Sequence, residues 1–214
     1  VVKPLRPPPS SRPPTAPRSA GGRLPAAQRK EAILAAAFPL FAARGSEGAT
    51  TRDLAKAAGV TEPILYRHFP SKADLFAAVV ARATERVLAG IDGIVRPTRG
   101  ASARLVALAS RLEELLGGFD LELRVLNGAA ATHADPATTS LVRDAYGRIG
   151  AALSRALEGG GLRRGVRPTV AGHLLLEMGL GAALARPLGV AAVADGDYGR
   201  QVLALLVRAL TGKP

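Results

Sequence analysis

Apolar residues recur at helical spacing through most of the chain. Residues 26–44 place Ile33, Leu34, Ala37, Phe38 and Phe41 on one face, and Gly45 stands where a helix-ending glycine is expected. Pro39 falls inside this segment and predicts a kink or a break, because it removes the bond to the carbonyl of Ala35. Thr50 and Asp53 form a capping-box pattern before Leu54, Ala55 and Ala58. Gly59 suits a tight turn that needs positive φ, and Thr61 then caps a short helix with Pro63 in its first turn. Ile64, Leu65 and Phe69 can face inward there, leaving Thr61, Glu62, Tyr66, Arg67 and His68 to project. Ser71 and Asp74 open a longer helix whose face runs through Leu75, Phe76, Val79, Val80, Ala83, Val87, Leu88 and Ile91, stopping before Pro97.

Beyond residue 99 the pattern is helix after helix, over 102–116, 120–133, 138–158, 168–185 and 197–211. Glycine pairs and triplets or prolines punctuate them, and there is no sustained period-2 alternation. The expected class is therefore all-α. Residues 1–25 are different: rich in Pro, Ser, Gly and Arg, they read as a disordered basic tail. The organisation expected is this tail, a three-helix domain over 26–76, and a larger helical domain over 77–214.

Composition narrows the chemistry. The chain has 214 residues, 48% of them hydrophobic but only 4% aromatic, and no cysteine. Thiolate metal sites, disulfides and Cys nucleophiles are excluded. No uncharged apolar run approaches the ~18 residues of a membrane span, and no secretory signal is read at the start, so a cytoplasmic location and no membrane partner are expected. His68, His133 and His173 lack metal-ligand spacing, and no serine sits in a nucleophile motif; no P-loop or dinucleotide loop is present. Neither a cofactor, a metal nor an enzymatic activity is expected. The net charge is +12, and residues 1–30 hold seven basic residues and no acidic one. That balance suits nucleic acid as a partner.

Residues 51–69 meet the needs of a helix-turn-helix: Ala55 where the helices cross, Gly59 in the turn, and Val60 and Leu65 inside. In such a unit the second helix lays its N-terminal residues into the major groove. The stretches ILAAAFPLFAARG, TRDLAKAAGV, LYRHF and SKADLF, in this order, resemble the DNA-binding domain of the tetracycline-repressor (TetR) family, over about a quarter of the chain. Pro39 and the pair Glu62-Pro63 depart from that pattern. The resemblance implies that Thr51, Arg52, Tyr66, His68 and Lys72 meet phosphates, and that Thr61, Glu62, Pro63 and Ile64 face base edges, with Arg67 able to reach either.

It further implies a C-terminal ligand-binding and dimerisation unit. Helices near 168–185 and 197–211 would pair with their copies, the former through Ala171, Gly172, Gly179, Gly181, Ala182 and Ala183. Polar residues in apolar stretches, namely Asn127, His133, Tyr146, His173 and Glu177, are the candidate effector contacts. The function so implied is a homodimeric, ligand-responsive regulator, a repressor that binds a palindromic double-stranded DNA operator and is released by a small-molecule effector. The alternative on charge alone is a sequence-nonspecific architectural DNA-binding protein, with steep salt dependence and little preference.

Overall fold

The computed structural model describes residues 25–111, 118–131, 136–159, 161–185 and 196–212. The N-terminal tail, the segment 112–117 and His133 lie outside the described residues. Every described element is an α-helix: α1 (Ala26–Gly48), α2 (Thr51–Ala57), α3 (Glu62–His68), α4 (Lys72–Val95), α5 (Ala101–Ser110), α6 (Asp120–Ala131), α7 (Pro136–Ala156), α8 (Pro168–Ala185) and α9 (Gly196–Thr211).

The first helix runs on through Pro39. Pro39 lies on the exposed face, where water can serve the carbonyl that the ring leaves without a donor. The interruption comes at Gly45, with φ 66° and ψ −177°, and only glycine adopts that backbone without strain. The five expected core residues of α1 are all buried. Phe41 meets Phe76 of α4 edge to face, with ring centres 5.0 Å apart.

Helix α4 carries one continuous buried face from Leu75 to Ile94. Its first half packs with α1, and its length packs against α5, α6 and α7. The buried residues form one core from Ile33 to Leu210 rather than two separate ones. Helix α6 adds a second bridge, packing on both α1 and α4 as well as on α7 and α8. Periodicity alone does not predict the packing of α6 on α1 or α4, because each partner lies tens of residues away.

The most extensive crossing is α7 with α8. Gly172 of α8 makes it possible: a Cβ there would stand 2.5 Å from the backbone nitrogen of Ser154. Ala171, Gly172 and Gly179 are thus buried within the chain, against α7 and the core. The small size of Gly172 serves this intrachain approach. Helix α5 ends at Ser110, before the boundary read from the sequence; the rest of that expected helix lies outside the described residues. Arg104 ties the start of α5 to its surroundings by donating to the carbonyls of Thr98 (2.9 Å) and Ala156 (3.3 Å).

Candidate nucleic-acid interface and effector cavity

The turn between α2 and α3 is built from local chemistry. The Thr50 hydroxyl accepts from the Asp53 backbone N–H at 3.1 Å and opens α2. At its other end, Val60 N–H donates to the Ala55 carbonyl and Gly59 N–H to that of Lys56. This is the paired closure of a Schellman motif, and it requires the φ of +63° that Gly59 adopts. Leu54, Ala55 and Leu65 are buried beneath the turn. The Arg44 guanidinium bonds Asp53 at 2.8 Å and pins α2 to the end of α1. Thr61 occupies the cap position of α3, but its side chain makes no capping bond.

The expected DNA-facing residues differ in exposure within this frame. Arg52, Thr61, Pro63, Tyr66 and Arg67 are exposed; Thr51, Glu62, Ile64, His68 and Lys72 are half-buried. Two of them differ from the free projection expected. The Thr51 hydroxyl donates to Glu62 Oε2 at 3.1 Å. His68 turns Nε2 inward, where that atom is buried without a hydrogen-bond partner. Phe69 is core, as expected, and Lys30 of α1 sits 5.2 Å from its ring centre. Arg52, Lys56, Arg67 and Lys72 have no ion-pair partner among the described residues. Four cations without an ion-pair partner in the helix-turn-helix region suit a polyanion. Lys56 and Lys30 escaped the sequence reading because nothing in their local pattern separates them from any exposed lysine.

The Ser71 hydroxyl accepts from Asp74 N–H at 3.0 Å and donates to its carboxylate at 2.6 Å, which fixes the start of α4 and hence Lys72. An acid at this position also complements the helix dipole.

Deeper in the larger part, a cavity of about 80 Å³ is walled by Val87 and Ile91 of α4, Leu108 of α5, and Phe119 with Leu123 at the start of α6. Ile149 and Leu153 of α7 and Leu175, Leu176, Gly179 and Leu180 of α8 complete it. Every wall is apolar. Four of the polar residues singled out from the sequence are described, and none lines this cavity. Tyr146 donates to Asn127 Oδ1 at 2.9 Å, bridging α7 and α6. By helical spacing this pair sits one turn from Ile149 and Leu123 of the wall. Burial pushes the Tyr146 phenol up to about 12. His173 and Glu177 instead lie on the exposed face of α8, beside a shallow groove shared with Thr169, Val170 and Leu174. His173 Nδ1 is 2.8 Å from the Thr169 carbonyl, and its ring covers Gly150. A polar residue in an apolar run looks the same in sequence whether it faces a cavity or solvent, and the crossing of α7 with α8 decides which.

The sequence reading also passed over Glu122. It is buried on α6, one residue before the wall residue Leu123, and its charge is answered by Arg86 of α4. Such a pair ties α6 to α4, since removing one partner strands a buried charge.

Known proteins share this arrangement. Residues 33–79 match the family of bacterial regulatory proteins called the tetR family. The nucleoid occlusion factor SlmA of Marinobacter nauticus is 32% identical over 140 residues, which cover 65% of this chain and 72% of that one. The chain belongs to the TetR family. It is a DNA-binding transcription regulator of that family. The transcriptional activator FasR of Mycolicibacterium smegmatis is 38% identical over 87 residues, 41% of this chain, and the chain spans about two fifths of FasR (40%). The whole TetR fold recurs in the crystal structure of AibR in complex with isovaleryl coenzyme A and operator DNA. There the TM-score is 0.62 at 22% identity, over 86% of this chain and 98% of AibR.

Proposed function

We propose that this regulator is a homodimeric repressor that binds a palindromic operator and is released by an apolar or amphipathic small molecule. The observation that carries the reading is the sharing of walls. Two of the five helices that line the cavity, α4 and α6, also pack on α1 of the DNA-binding part. A ligand that fills the cavity and moves Leu123 or Val87 then moves the support of the recognition helix α3. It must bind the released state better than the DNA-bound one, or it shifts nothing.

The DNA contacts proposed are Thr61, Glu62, Pro63 and Ile64 towards bases, Arg52, Tyr66, His68 and Lys72 towards phosphate, and Arg67 towards either. Asn127 and Tyr146 offer a polar end next to an otherwise apolar ligand site. The dimer reading draws on α8. It is apolar enough in length and composition to pass for a membrane helix, yet only Ala171, Gly172, Leu175 and Gly179 of its 18 residues are buried. Val170 and Leu184 stand half exposed, as does Leu205 of α9. A second copy laid on the exposed face of α8 would cover Val170 and Leu184, together with His173 and Glu177. Two recognition helices about one DNA turn (~34 Å) apart would follow.

Selection of bound sites from random DNA duplexes tests the reading. The expected product is an inverted repeat with half-sites one turn apart. Equal affinity for all duplexes with a steep salt slope would instead establish the architectural alternative. A cavity ligand should lower operator affinity by roughly 5–150-fold; a ligand that binds equally with and without operator would remove the release mechanism. The likeness to SlmA runs well past the DNA-binding segment and favours a second reading, in which the DNA-bound protein acts on a protein partner. Repression of a reporter by operator occupancy alone separates the two.

A further inference from the structure

Thr51 opens α2 and Glu62 opens α3, eleven residues apart, and the turn brings their side chains together at 3.1 Å. A hydroxyl has a single proton to donate. While Thr51 gives that proton to Glu62, it has none for a phosphate oxygen, which can only accept. The role that resemblance assigns to Thr51 is therefore closed in this arrangement, and a different one is open.

Glu62 poses the complementary problem. An ionised carboxylate only accepts, so it gains nothing from the phosphates and is repelled by their charge. In the major groove the donors are the N4 amine of cytosine and the N6 amine of adenine. Adenine N6 is flanked by two acceptors that oppose the second carboxylate oxygen, its own N7 and the O4 of the paired thymine, whereas cytosine N4 has one, the O6 of the paired guanine, and a C–H on its other side. A long, flexible side chain discriminates only if it is held, because each free rotamer must be frozen on binding. The Thr51 bond holds Oε2 and leaves Oε1 to accept.

We infer that Thr51 is a positioning residue that orients Glu62 to read a cytosine, and so sets the base preference at one operator position. The inference rests on the sequence-specific DNA binding proposed above. The test uses the full chain and duplexes selected from a random pool by the wild-type protein. Relative affinities for the selected site and for its single-base variants are measured for wild type, Glu62→Gln, Thr51→Val and Thr51→Ser, with melting temperatures to confirm folding. Glu62→Gln should cut the preference for cytosine at one base pair by about tenfold, the scale of a single mismatch. Thr51→Val should cut it at the same base pair, and Thr51→Ser, which keeps the hydroxyl, should restore it. Equal weakening on every variant duplex by Thr51→Val would overturn the inference and return Thr51 to phosphate contact or structural support. So would a changed preference at a base pair that Glu62→Gln leaves alone. A wild-type protein that selects no sequence at all would overturn the operator reading and this inference with it. That result is distinguishable, because it appears before any variant is made.

Discussion

Substituting Gly172 by Ala adds one methyl group where α7 and α8 cross. The new Cβ would stand 2.5 Å from Ser154 N, 2.6 Å from its Oγ and 2.8 Å from its Cα. Unstrained contacts are ~3.5–4 Å, and two of these three atoms are backbone in the middle of a helix. Ser154 is held further by the bond from its hydroxyl to the Gly150 carbonyl at 2.7 Å. The helices must therefore part by most of an ångström, which forfeits roughly a quarter to a half of each dispersion contact along the crossing. Overpacking of this kind costs ~1–3 kcal/mol, and the short approach to backbone argues for the upper end. Alanine returns ~1 kcal/mol of helix propensity, for a net loss of about 2 kcal/mol. Gly147→Ala is the control: it lies on the exposed side of α7, and its Cβ would meet nothing within 4 Å. It gains the same propensity without the clash. The difference between the two variants isolates the packing cost and should separate their melting temperatures by roughly 2–12 °C. Thermal unfolding by circular dichroism, at one fixed protein concentration because association adds stability, measures it. If Gly172→Ala melts at or above Gly147→Ala, the crossing is not as close as described and the cavity wall built on it is misplaced.

Three further outcomes follow from other parts of the structure. Gly59→Ala should lose about 1–2 kcal/mol from the positive φ alone, since a Cβ there meets no atom within 4 Å; Gly59→Asn should lose less, as read from urea midpoints. Tyr146→Phe leaves Asn127 Oδ1 without its donor and should cost ~1–2 kcal/mol at neutral pH. The same variant carries a pH signature. The unfolded phenol ionises near 10, the folded one near 12, so the unfolded state binds fewer protons in that window and stability falls as pH rises through it. Wild type should decline more steeply than Tyr146→Phe between pH 10 and 12; parallel declines would show that the buried phenol is not the source. Arg86→Met should destabilise by about 2 kcal/mol, less than a fully buried pair because Arg86 is half exposed. Glu122→Leu added to it should recover part of that loss in denaturant titrations.

The parts of this protein legible from sequence share one property: their causes lie within a few residues. The Thr50 and Ser71 caps, the Gly59 turn, the interruption of α1 at Gly45 and the buried faces of α1 and α4 all follow from φ preferences, capping donors and a 3.6-residue period. Those cues, with the ordered motifs between Ile33 and Phe76, were enough to reach a DNA-binding regulator of the TetR family. Pro39 shows the limit even locally, because its cost depends on which face it occupies.

Tertiary structure decided the rest. Gly172 is one small residue among many on α8, and only the approach of Ser154 gives it a role. Asn127 and Tyr146 were singled out separately, and the crossing of α6 with α7 made them a pair, while the crossing of α7 with α8 left His173 and Glu177 outside. Glu122 became notable only once α4 brought Arg86 to it. The cavity draws its wall from five helices spread over residues 87–180. Local propensities carry no information on which distant faces meet, since dispersion, close packing and the pairing of buried charge act between atoms in space rather than along the chain.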